Sequence, residues 1–285
     1  MEIQWYPGHM AKTKRLIRES LSLVDVVIEL IDARIPFSSK NPDLGEMTKD
    51  KKRIIVFNKW DLADKNKSKE WMRIYEAAGY TALAADCASG VGLAEIEKTA
   101  RALMKEKIDA QKARGRRLVT IRAMVAGIPN VGKSTLINKY ANKTVAKVED
   151  RAGVTRNKQW IKVRNDFEIM DTPGVLWHKF DDPKVGLNIA FTGGIKDEII
   201  DIISLACKLA EFIAEFYPKS LQARYNIEAD NEEGAVLLEK IGRVRGCLIK
   251  GGQIDFTRAA VMLIDEFRAG RLGGMTLDES EGMTI

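Results

Sequence analysis

Over roughly the first 180 residues, apolar runs alternate with amphipathic stretches; beyond that point the alternation stops. VDVVIELIDAR (24–34) and RIIVFNKWD (53–61) are rich in β-branched residues and end in polar or turn-forming ones. Parallel strands buried on both faces carry this pattern. SKEWMRIYEAAG (68–79) predicts a helix opened by Ser68 and closed by Gly79. A strand and loop follow at TALAADCASG (81–90), then a long helix from Leu93 to Ala113. RRLVTIRAMVAG (116–127) predicts a strand, and KSTLINKYAN (133–142) starts a helix. QWIKVR (159–164) and DFEIMDTPG (166–174) predict a hairpin turned at Asn165-Asp166. Such alternation gives an α/β class with a doubly wound, mostly parallel sheet.

From residue 186 the spacing becomes helical. Ile199, Ile202, Ile203, Ala206, Leu209, Ile213 and Phe216 recur at helical intervals until Tyr217-Pro218 stops them. Further helices are predicted at 232–242 and from Asp255 or Thr257 to Gly270, with a loose tail after Gly273. The expected organisation is therefore an α/β domain over 1–180 and an all-helical domain over 186–285.

Composition narrows the setting. The 285 residues are 45% hydrophobic and 30% charged, as in ordinary globular chains. The longest apolar runs contain acids (Asp25 and Glu29; Glu211 and Glu215), which argues against a membrane span. Cys87, Cys207 and Cys247 show neither metal nor disulfide spacing, so a reduced, cytoplasmic location is expected. Charge is divided: residues 1–179 hold 34 Lys and Arg against 22 Asp and Glu, whereas residues 180–285 hold 12 against 18. A basic half-chain suits a phosphate-backbone partner, although scattered lysines also mark solvated helix faces. Within the acidic part, Lys240, Arg243, Arg245 and Lys250 form a local basic stretch, the expected place for RNA contact.

The chemistry is concentrated in three motifs. GIPNVGKST (127–135) is a phosphate loop. In it Asn130, Val131, Gly132, Lys133, Ser134 and Thr135 surround the phosphates, Lys133 reaches the β and γ oxygens, and the Ser134 hydroxyl ligates Mg²⁺. DTPG (171–174) ends an apolar strand; Asp171 would hold Mg²⁺ through water, and the Gly174 amide would meet the γ-phosphate. Between them, Thr155 in GVTR is the expected further ligand of Mg²⁺ and γ-phosphate, with Thr144 the alternative.

NKWD (58–61) is a guanine reader: Asp61 accepts from guanine N1–H and its exocyclic amine, Asn58 braces the loop, and the stem of Lys59 lies over the ring. Such a site rejects adenine by about 10⁴. Cys87, Ala88 and Ser89 would complete the base pocket through their backbone. Phosphate loop and guanine reader together describe a GTPase that binds GTP and GDP. The reader stands about 70 residues before the loop instead of after it, so the domain is circularly permuted. This order ties the γ-phosphate switch to residues 186–285, and GTP loading is expected to reorient them.

The order NKxD, CAS, GxPNVGKS, GVTR, DTPG, with WYPGHM at the N-terminus and DARIPFSS at 32–39, resembles the ribosome biogenesis GTPase A family of circularly permuted GTPases. That resemblance implies a GTPase acting on the precursor late in assembly of the large (50S) ribosomal subunit, with its helical C-terminal domain, 186–285, contacting ribosomal RNA. Val175 stands where many GTPases carry a water-orienting glutamine. The resemblance therefore points to His9 as the water-orienting group; His178 reads as a surface residue. Asn130 matches the asparagine of potassium-activated GTPases, making K⁺ a candidate beside Mg²⁺. The missing glutamine also leaves open a GTP-gated RNA-binding scaffold with incidental hydrolysis. The oligomeric state is not legible in the sequence.

Overall fold

The structure, a computed structural model, describes residues 9–143, 160–177, 180–229, 232–281, 283 and 285. Helix α1 (His9–Leu21) leads into β1 (Val26–Asp32), α2 (Pro42–Met47) and β2 (Lys52–Asn58). Next come α3 (Lys65–Ala77), β3 (Thr81–Ala84), α4 (Leu93–Leu103), α5 (Lys105–Ala113) and β4 (Ile121–Ala126). Helix α6 (Lys133–Lys143) and the hairpin of β5 (Trp160–Arg164) and β6 (Phe167–Met170) follow. The later regular elements are helices: α7 (Pro183–Phe191), α8 (Ile202–Phe216), α9 (Pro218–Tyr225), α10 (Gly234–Val244) and α11 (Phe256–Arg268).

Six strands pair in the order β3-β2-β1-β4-β6-β5, all parallel except the edge strand β5. All seven residues of β1 are buried, as expected of a strand covered on both faces. Burial of Ile28, Leu30 and Ile31 contributes about 2 kcal/mol each. The strand ending at the phosphate loop (β4) and the strand ending at NKWD (β2) flank β1. Both motifs thus emerge at the same sheet edge, the C-terminal ends where open α/β sheets bind ligands. Spatial neighbours, not chain order, set this arrangement, and it accommodates the permutation.

Several boundaries differ from the sequence expectation. Helix α3 begins at Lys65, one turn before Ser68, because Asp64 caps it by accepting from the Asn66 and Lys67 amides. Ser68 lies inside the helix, where its buried hydroxyl donates to the Ala33 carbonyl. The single helix expected over 93–113 is two, separated at Met104; α5 buries no side chain fully, and only its Ile108 packs partly against the core. The strand expected from 116 starts at Ile121, since the preceding arginines and Leu118 are exposed. Pro218 stops α8 but also opens α9 as its first residue.

The tail overturns the expectation of a loose end. Met275, Thr276, Leu277 and Asp278 are buried. The Met275 amide donates to the Leu62 carbonyl (3.1 Å) and the Leu277 amide to that of Arg34 (2.7 Å). The Asp278 carboxylate accepts from the Phe37 and Ser38 amides, the Ser38 hydroxyl and Asn188 Nδ2 at 2.5–2.8 Å. Burial raises its pKa, and these donors partly offset the shift. Nothing periodic marks the segment, since these partners lie from 90 to about 240 residues away. One hydrophobic core runs from the sheet (Ile28, Val125) into the helices (Leu205, Leu238, Leu263). Replacing Asp278 with Ala strands the amides of Phe37 and Ser38, so a loss of about 3 kcal/mol in denaturant unfolding is expected, with earlier proteolysis after residue 273.

Candidate functional site

Asn58 closes β2 and is 2% exposed. Its Nδ2 donates to the Val131 carbonyl (2.7 Å) in the phosphate loop, and its Oδ1 accepts from the Cys87 amide (2.9 Å). One side chain thus joins NKWD, the phosphate loop and the CAS loop. Gly132, at φ 107°, makes this approach feasible: a Cβ there would lie 2.2 Å from Asn58 Nδ2. Lys59, in a left-handed conformation, extends its ammonium to the Asn130 carbonyl (2.9 Å) and to Asp32 (3.0 Å). Asp61 is exposed on the short 3-10 turn Trp60–Leu62.

The CAS loop is shaped by Asp86, whose carboxylate accepts from the Ala88 and Ser89 amides. Lys139 of α6 donates to the Ala88 carbonyl (2.8 Å). All three CAS amides therefore already have side-chain acceptors, with Cys87 buried and Ala88 and Ser89 exposed.

The phosphate loop wraps around Lys133, whose ammonium donates to the Gly127 (3.2 Å) and Ile128 (2.7 Å) carbonyls. Burial lowers its pKa to about 8, while nearby Asp171 opposes the shift. Asp171 is affected in the opposite sense: burial raises its pKa and Lys133 lowers it. Ser134 and Thr135 are exposed at the N-terminus of α6, where helix polarity favours phosphate. Gly174 rests on the loop, since a Cβ there would meet Pro129 Cα at 2.8 Å and Lys133 Nζ at 3.0 Å. Val131 is buried beneath the loop. Asn130 turns away from its own loop and donates to the Gly193 carbonyl (2.5 Å), beyond α7.

Val175 is 3% exposed, so its side chain faces the core. Its amide donates to the Gly127 carbonyl, and its own carbonyl accepts from Asn41 Nδ2. Thr155, Thr144 and His178 lie outside the described residues; His9 begins α1, but its side chain is not among those described.

A family model described as a 50S ribosome-binding GTPase matches residues 122–235, from β4 onward, leaving NKWD outside the match. Over 281 residues the chain is 47% identical to the ribosome biogenesis GTPase A of Bacillus cereus, covering 99% of this chain and 95% of the relative. The chain belongs to the ribosome biogenesis GTPase A family. The Thermotoga maritima relative of that name is 30% identical over 99% of this chain and 96% of its own length. Among solved structures, GNP-bound YlqF from T. maritima superposes with a TM-score of 0.64 at 27% identity, covering 95% of this chain and all of that one. A GDP-bound YlqF gives 0.65 at the same identity, covering 94% and 100%. The protein is a GTPase with a circularly permuted GTPase fold.

GTPases generally use Mg²⁺ with the nucleotide, and the residues present fit that ion. Among the described residues no group of three or more His, Cys, Asp or Glu could cage a metal. Mg²⁺ needs no such cage: it takes a few protein oxygens alongside waters and substrate phosphates. Ser134 and Asp171 are hard oxygen donors, Ser134 next to Lys133 in the chain and Asp171 close enough to feel its charge.

Sequence reasoning assigned no role to Asp32, Arg34, Lys139 or Gly193. An acid closing a mostly apolar strand just before an arginine was the available signal for Asp32, which the structure sets opposite Asn58.

Two outcomes follow from this geometry. In the free protein Lys133 loses its proton as pH rises through about 8, and bound phosphates restore the charge. Binding GDP at pH 8 should therefore take up about half a proton, read as a dependence of the calorimetric enthalpy on buffer ionisation; no uptake rejects the assignment. Asp61→Asn should shift triphosphate preference from guanosine to xanthosine in competition binding, because an amide presents a donor where guanine offers only donors.

Proposed function

We propose that this GTPase acts in late assembly of the large ribosomal subunit, hydrolysing GTP while in contact with the precursor's ribosomal RNA. The observation that carries the reading is the Asn58 junction between guanine motif and phosphate loop, in a chain whose first 179 residues hold 34 basic against 22 acidic side chains. In this reading Asp61, Lys59 and Asn58 take the base, with the CAS loop behind it. Lys133 and Gly174 address the phosphates, while Ser134, Thr155 and, through water, Asp171 hold Mg²⁺. His9 orients the attacking water, and Asn130 helps hold a K⁺ ion whose charge serves the transition state.

Its RNA contact draws on the basic surface of residues 1–179. The basic stretch at 240–250 contributes less than its sequence suggests. Lys240 pairs with Glu232, Arg243 with Glu239, and Arg245 with Glu266, a carboxylate it shares with Arg224, so three of its four cations already have acidic partners within the molecule. The reading also places the protein in the cytoplasm; no described helix is long and apolar enough to cross a membrane.

A second reading, a GTP-gated RNA-binding scaffold with incidental hydrolysis, is favoured by the buried Val175 in place of a glutamine. Turnover measured with and without large-subunit particles, in equal KCl and NaCl, separates the two. The enzyme reading expects strong stimulation by particles and faster turnover in KCl, and His9→Ala should lose turnover while keeping GTP affinity. Unstimulated turnover favours the scaffold.

A further inference from the structure

Asp32 ends β1 between the two nucleotide motifs, directly opposite Asn58. It is 1% exposed and accepts from three groups of Arg34: the amide (3.1 Å) and Nε (2.9 Å) on Oδ1, and Nη2 (2.7 Å) on Oδ2. Oδ2 also meets the Lys59 ammonium at 3.0 Å. Burial alone would raise the Asp32 pKa, but Arg34 and Lys59 together hold it below the ordinary carboxylate value, so the group is an anion.

Two features make this more than a buried ion pair. Lys59 holds a left-handed backbone (φ 57°), unfavourable for a residue with a side chain and kept only where surroundings enforce it. Its ammonium is fixed from two sides, by Asp32 and by the Asn130 carbonyl. Arg34, in turn, is not free to follow Lys59: its Nη1 reaches the Arg268 carbonyl, and its guanidinium lies 5.3 Å from the centre of the Phe267 ring. The carboxylate therefore sits on a rigid mount that reaches α11.

We propose that Asp32 is a positioning residue for guanine-nucleotide binding. Mounted on Arg34, it holds Lys59 stretched from the guanine loop across the phosphate loop. The inference rests on the reading that Lys59 covers the base, and the test keeps the two apart.

GDP affinity is measured for wild type, Lys59→Met, Asp32→Asn and the double variant. Lys59→Met is expected to weaken binding, and Asp32→Asn to weaken it about ten-fold. The double variant should be no weaker than Lys59→Met alone, since Asp32 acts through Lys59. An unchanged Lys59→Met overturns the role given to Lys59. A weakened Lys59→Met beside an unchanged Asp32→Asn, or losses that simply multiply, overturns the positioning role. A general structural loss would multiply in this way. Asp32→Asn leaves Arg34 buried without its counter-ion and can fail to fold. Where it does, Asp32→Asn is replaced in the cycle by Asp32→Asn combined with Arg34→Met, in which both buried charges are gone, and the same outcomes apply.

Discussion

The active edge of this molecule depends on one amide. Asn58 spends its donor on the phosphate loop and its acceptor on the CAS loop, so three segments separated by up to 73 residues share a single rigid joint. A carboxylate could not do this, because it lacks the donor for Val131 O, and a lysine lacks the acceptor for the Cys87 amide. The joint is buried, and a broken bond there leaves a polar group without a partner. Gly132 is tied to it in turn, since any side chain at that position would occupy the space of the Asn58 amide. Guanine reading and phosphate binding are thus properties of one packed unit, whichever motif comes first along the chain.

Around that joint a ring of polar contacts closes. Lys59 reaches the Asn130 carbonyl, and Asn130 reaches Gly193 beyond α7. Arg268 donates to the Ala190 and Phe191 carbonyls at the end of α7, and its own carbonyl accepts from Arg34. Arg34 returns to Asp32, and Asp32 to Lys59. Phosphate loop, guanine loop and helical elements are consecutive links of the circuit. In an unpermuted chain the sheet would continue after DTPG; here the freed strand end runs into α7, whose C-terminal turn is returned to the phosphate loop by Asn130.

The sheet and the nucleotide motifs were legible because their signals are local. Apolar runs such as 24–34 and 53–61 mark buried strands, and the spacing within GIPNVGKST dictates a loop between strand and helix. The motif order also revealed the permutation. Illegible were the contacts made by residues without local pattern. Asp278 looks like a tail residue until Ser38 and Asn188 are brought to it, and the basic stretch at 240–250 looks open until Glu232, Glu239 and Glu266 are seen beside it. Asp64 displaced Ser68 as a helix cap because two residues of similar capping strength stood four apart, and propensity does not rank them.

These contacts constrain how a nucleotide could move residues 186–285. A rigid-body swing of the helices would have to withdraw Asp278 from three donors, the Phe37 and Ser38 amides and the Ser38 hydroxyl, and expose Leu277 and Met275, both fully buried. The cost is several kcal/mol, comparable with the whole differential affinity a nucleotide can supply. Asn130 faces a much smaller barrier. Its bond to Gly193 is a single partly exposed contact, and its loop must receive the phosphates. Asn130 spends only its Nδ2 on Gly193, and a cation would take its Oδ1, so the two roles share one planar amide and a turn of that amide is felt at both. Phosphate occupancy would therefore act first on the α7–α8 turn, through Asn130 and Gly193, while the tail keeps the helices docked. On this argument switching would be a local release at one corner of the ring, with the opposite corner at Asp32 and Arg34 held fixed.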